Sequence, residues 1–192
     1  MVLQNEIARI DISTDETYSI GSAGNRHYDA VLNPAGYRRS NLSKTFSIHI
    51  DLYSKEFQIA LIGSFYSLDS DCAVLEDDIL TILQDDTITQ IKITDASLVR
   101  HIALDCFGCN FAIYKVEKGY LIHGEIEITM LDFDFTKQWS FSGSDIFSSI
   151  SGKKSFTIRG NSICLYDFDD NYYEIDFDGK KIAYLPACRT GI

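Results

Sequence analysis

Cys72-Ala-Val-Leu75, Ile79-Leu-Thr-Ile-Leu83, Ile88-Thr-Gln-Ile-Lys-Ile93 and Leu98-Val-Arg-His-Ile-Ala-Leu104 are four short apolar runs in close succession. Acidic breaks, Glu76-Asp-Asp78 and Gln84-Asp-Asp86, separate the first three. Runs of this length, rich in Ile, Val, Leu and Thr and bounded by Asp, read as strands joined by tight turns. Four strands in a row without a helix make an antiparallel meander, the pattern of one propeller blade.

Working outward, the same signal predicts strands over residues 6–12, 46–52, 57–65, 111–116, 120–124, 128–133, 138–141, 155–159, 163–168 and 172–177. Helical periodicity is almost absent. Residues 111–143 and 145–179 repeat the meander, so the clearest repeat region runs over 72–179. Asp95-Ala-Ser-Leu98, Asp134-Phe-Thr-Lys137 and Asp170-Asn-Tyr-Tyr173 are placed in register as equivalent turns, at a spacing of about 36–39 residues. The expected fold class is all-β, with antiparallel four-stranded meander repeats in a β-propeller-like arrangement; a curved two-sheet β-sandwich is the alternative. Residues 1–192 are expected to form a single domain. Residues 21–45, with Gly21, Gly24, Asn33-Pro34 and Gly36, read as a long irregular loop.

Two segments carry a family resemblance. Thr94-Asp-Ala-Ser-Leu-Val-Arg100 and Leu131-Asp-Phe-Asp-Phe-Thr-Lys-Gln-Trp-Ser-Phe141 resemble the last hairpin of quinoprotein-type and WD-type β-propeller repeats, in which an Asp-containing turn leads into a strand carrying Trp. The chain departs from that pattern in lacking the turn Gly before Lys137 and in having Trp139 as its only tryptophan. No residues match a quinone-binding ring. The resemblance implies architecture and no cofactor.

The charge balance bounds the partners. Twenty-eight acids against 17 bases give a formal charge of −11, which repels a phosphate backbone or an anionic membrane surface. Nucleic acid and membrane are therefore excluded as expected partners, and a basic protein or a small ligand is favoured. The start of the chain lacks a basic segment followed by an apolar core, so a cytoplasmic location is expected. Five scattered cysteines, Cys72, Cys106, Cys109, Cys164 and Cys188, do not form a disulfide framework.

Several residues could carry chemistry. Cys106-Phe-Gly-Cys109 has the spacing of one edge of a zinc site, but no second pair completes four ligands. A turn between strands is the plainer reading. His123 stands out because Gly124 and two acids, Glu125 and Glu127, follow it; a cross-strand hydrogen bond or a general base would both use it. Asp167, Asp169 and Asn171 match positions 1, 3 and 5 of a calcium loop, although Tyr172 stands where that loop needs Gly and Asp178 where it needs Glu. Solvated hairpin turns explain the same acids. The aromatic and acidic C-terminal stretch places the binding residues at Trp139, Asp169, Asp170, Tyr172 and Tyr173, because Tyr couples apolar area to a hydrogen-bonding tip. The sequence reading is thus a non-catalytic protein- or ligand-binding module, with a metal protein or hydrolase built on Cys106, Cys109 or His123 as the alternative.

Overall fold

The computed structural model describes residues 1–64, 71–149 and 151–187, so Cys188 and the end of the strand expected to reach Phe65 lie outside the described residues. The contacts group the chain into two compact units, Met1–Leu104 with Phe111–Ile113, and Asp105–Asn110 with Tyr114–Ile192. The described residues contain strands and no helix.

In the first unit, β1 (Val2–Gln4), β2 (Arg9–Thr14), β3 (Ala30–Leu32), β4 (Lys44–Asp51) and β5 (Glu56–Gly63) form one sheet in the order β1-β2-β4-β5-β3. A second sheet is the meander read first in the sequence: β6 (Ala73–Glu76), β7 (Ile79–Gln84), β8 (Thr87–Lys92) and β9 (Ser97–Ala103), paired in chain order. Two-residue turns close its first hairpins, with Asp77 at φ 49° and Asp85 at φ 57°. Asp tolerates the left-handed region better than most residues, which is why acidic pairs punctuate the apolar runs. Alternate residues of both sheets, among them Ile10, Ile48, Leu61, Leu80, Ile82 and Ile91, share one fully buried core. Area removed from water at such positions is the main stabilising term, about 25 cal/mol per Å² of apolar surface.

In the second unit, β10 (Asn110–Val116), β11 (Gly119–Gly124), β12 (Glu127–Leu131) and β13 (Lys137–Ser142) make one meander. A second is built from β14 (Phe156–Arg159), β15 (Ser162–Tyr166), β16 (Tyr172–Asp176) and β17 (Lys181–Leu185). Their shared core includes Leu121, Ile128, Phe147, Phe156, Ile163, Leu165 and Ile175. Three four-stranded antiparallel sheets of consecutive strands, with no crossover within any of them, make the fold all-β and β-propeller-like.

The structure differs from the sequence reading in three places. Val2–Gln4, Ala30–Leu32 and Lys181–Leu185 are strands that the apolar-run signal did not predict. The second lies inside the stretch read as loop, where Ala30, Val31 and Leu32 pair in parallel with Ile59, Ala60 and Leu61. The third changes the register of the repeat. Asp134-Phe-Thr-Lys137 joins β12 to β13, whereas Asp170-Asn-Tyr-Tyr173 joins β15 to β16; the true counterpart is the turn at residues 176–180. Matching bulges at Gln90/Ile91, Met130/Leu131 and Glu174/Ile175 fix this alignment. The last meander accordingly continues past Gly179 to Leu185.

Candidate binding groove

Three turns of the second unit share one sequence form and one geometry. In Asp132-Phe-Asp-Phe-Thr136, Asp167-Phe-Asp-Asp-Asn171 and Asp176-Phe-Asp-Gly-Lys180, the first residue donates its N–H to the carbonyl of the fifth. It accepts in return: Oδ1 takes the fifth residue's N–H at 2.9, 2.9 and 2.8 Å respectively. The fourth residue, Phe135, Asp170 or Gly179, has positive φ. A short carboxylate folding back on its own backbone is the Asx device that makes Asp favourable in turns.

The middle turn shows what the acidic run does. Asp167 is fully buried, and its Oδ2 accepts from the Asn171 side chain at 2.9 Å and from the Tyr173 hydroxyl at 2.8 Å. Its oxygens are thus committed to holding the turn. Tyr173 is a core residue, packed against Phe141, Phe147 and Tyr184 and receiving the Ser144 N–H at 2.8 Å; burial pushes its phenol up. Asp169 stands exposed on the turn. Asp170 accepts from the Ser151 hydroxyl at 2.8 Å and pairs with Lys153 at 3.4 Å, and these contacts hold its carboxyl below the usual range.

Cross-strand register then brings Tyr166 opposite Tyr172 and Tyr172 opposite Leu185 on one face of the sheet. The Tyr166 and Tyr172 rings lie 5.2 Å apart, and the Lys153 ammonium sits 4.9 Å over the Tyr166 ring. With Arg159, Asp170, Pro186 and Ala187 these residues line a groove of about 470 Å³. The Ala187 N–H is held by Asn171 Oδ1 at 2.9 Å, which fixes the chain that forms one wall. Tyr172 places its hydroxyl within 3.3 Å of Cys164 Sγ and 3.2 Å of Glu174 Oε2. Those acceptors raise its pKa, so the phenol stays protonated with its proton directed at them.

Of the residues expected to bind, Asp170 and Tyr172 line this groove, and Asp169, Tyr173 and Trp139 do not. Trp139 packs instead on the turn at residues 176–180, where its Nε1 donates to the Phe177 carbonyl at 3.1 Å. The sequence reading counts Tyr166 in the C-terminal aromatic cluster but not among the binding residues, and it does not single out Lys153 or Arg159 for binding. A long-range register between strands assembles them, and only alternation with buried Ile163 and Leu165 hinted that Tyr166 faces outward.

The other candidates sit elsewhere. Cys106 and Cys109 are not disulfide-bonded and lie half-buried in the connection ahead of β10. Burial pushes the Cys106 thiol up, opposed by a hydrogen bond from Thr129, so it is a poor nucleophile. Glu127 nearby is buried, yet its carboxyl is held down by Lys137 at 3.0 Å and by the Phe107 N–H at 3.0 Å. His123 is buried against the Phe156 ring with Nε2 3.4 Å from the Phe147 carbonyl, and desolvation lowers its pKa to about 4. Among the described residues no three His, Cys, Asp or Glu side chains converge in a metal-holding group. No helix there is long and apolar enough to cross a membrane.

Comparison with known proteins follows the architecture. A Neurospora crassa Pan2 WD40 domain is similar over 60% of this chain and 37% of its own, at 16% identity and a TM-score of 0.45. BamB from Moraxella catarrhalis is similar over 76% of this chain and 47% of its own, at 9% identity and a TM-score of 0.46. The chain therefore spans less than half the length of either. No protein-family model and no curated protein matches it.

Proposed function

We propose that the chain is a non-catalytic binding module whose recognition surface is the groove between Lys153, Arg159, Tyr166, Tyr172 and Leu185. One observation carries this reading: two half-buried tyrosines, two cations and an apolar wall converge on one concave face of a sheet. Tyr and Arg are the side chains that dominate protein recognition, since they combine large contact area with fixed hydrogen-bond donors. The groove's own charge refines the partner. Asp170 is already paired with Lys153, and the Tyr172 proton is already given to Cys164 or Glu174, leaving the Arg159 guanidinium as the donor, so a protein segment bearing a carboxylate beside an apolar side chain fits better here than the basic partner suggested by the net charge of −11.

The test is recovery of a partner from the source cells with tagged full-length chain, at low and moderate salt. Wild type is expected to retain one protein specifically, and Tyr172→Ala and Arg159→Glu each to reduce it about ten-fold, in line with loss of a central interface residue. Equal recovery by wild type and both variants would remove the groove from the account.

A further inference from the structure

The last strand of the second unit has an edge built to pair. Among the described residues β17 lies at the outer end of its sheet, hydrogen-bonded to β16 on one side only. Its centre is apolar and open on both faces: Ile182 is 57% exposed, Tyr184 42% and Leu185 62%. The equivalent last strands are guarded differently. β9 sets Arg100 and His101 beside its exposed Leu98 and Val99, and β13 carries Gln138, Ser140 and Ser142. The guards of β17, Lys181 and the Pro186 that follows the strand, stand at its two ends, and a central run of exposed apolar side chains on an edge is a template for another strand.

We propose that β17 pairs with β17 of a second copy of this chain, antiparallel about a two-fold axis through Ala183. This register sets Ile182 of each copy against Tyr184 of the other and Lys181 against Leu185, so every exposed apolar side chain gains a neighbour. It also separates the like charges. Lys180 and Lys181 sit at one end of the strand beside Asp176 and an Asp178 already paired with Lys118, while the other end is tied through Ala187 and Asn171 to the turn bearing Asp169 and an Asp170 already paired with Lys153. Antiparallel pairing brings the second copy's Lys180, opposite Pro186, alongside that acidic turn, and the same happens at the symmetric end. Since the −11 balance opposes approach elsewhere, this local complementarity is what selects the edge and the orientation. Two meanders would become one continuous eight-stranded sheet. Cross-strand partners share a face, so the second copy's Lys181 would also stand beside Leu185 at the rim of the groove.

Sedimentation equilibrium on the full chain tests this from micromolar to millimolar concentration. The expected result is a monomer–dimer equilibrium, weakened about ten-fold or more by Ile182→Lys with an unchanged circular dichroism spectrum. Ala183→Cys fixes the geometry: two residues directly opposite on paired strands have Cβ atoms about 4.5–5.5 Å apart, so mild oxidation should cross-link the copies through residue 183. A wild type monomeric at millimolar concentration, or a dimer unaffected by Ile182→Lys and not cross-linked through residue 183, would overturn the proposal. The groove's affinity for its partner is read separately and stands or falls on its own variants.

Discussion

At the scale of single residues, the acidic stretch is mainly structural. Asp167 accepts from Asn171 and Tyr173 inside the unit, so Asp167→Ala strands three donors and should cost about 2–3 kcal/mol in urea unfolding, from the desolvation penalty of unpaired buried polar groups. Asp169→Ala, two positions away and exposed, should change stability by less than about 0.5 kcal/mol. His123 makes the opposite kind of prediction. Its folded pKa of about 4 lies below the ordinary 6.5, so the unfolded chain binds a proton that the folded chain refuses. Stability is then full above pH 6.5, declines as pH falls toward 4 and levels off below, by on the order of 3 kcal/mol in all. His101, also lowered by burial, adds in the same direction. Chemical denaturation at stepped pH should show that decline in wild type between pH 6.5 and 5, with His123→Gln flattening it.

At the scale of strands and turns, Gly179 and Trp139 hold adjacent meanders of the second unit in contact. Gly179 has φ +75°, and a Cβ there would stand 2.7 Å from the Trp139 ring. Gly179→Ala therefore adds a steric conflict to backbone strain and should cost about 2 kcal/mol or more, with a change in the emission of the single tryptophan. Gly160→Ala, at φ +55° with open space around it, should cost only about 1 kcal/mol and leave the emission unchanged. The hairpins around residues 72–104 were legible in the sequence because acidic pairs and β-branched runs act within a few residues. β1 and β3 are three residues long and carry too little pattern to register, and β17 begins at Lys181 directly after Lys180, a pair that resembles a solvated turn. The repeat slipped by one hairpin because Asp-Phe-Asp occurs at two successive turns of the last meander. Tyr172 and Asp170, which line the groove, stand out from local composition, whereas Tyr166, Arg159 and Lys153 reach the groove only through strand register and a turn contact.

At the scale of the whole molecule, a chain of net charge −11 concentrates two cations and two tyrosines on one sheet face. Arg159, left over once Lys153 pairs with Asp170, gives a complementary carboxylate one place to seat while the remaining surface repels other anions. Raising salt should therefore slow partner association through the groove, measurable by stopped-flow as a falling on-rate with a nearly constant off-rate. The measurement that tests the central claim most directly is site-specific photo-crosslinking inside the source cells, with a benzophenone amino acid at Tyr166 and, as control, at Arg38 in the first unit. A discrete protein adduct from position 166 that is absent from position 38 and lost with Arg159→Glu is the predicted result. Adducts of equal yield from both positions, or none from position 166, would contradict the assignment of the groove as the binding site.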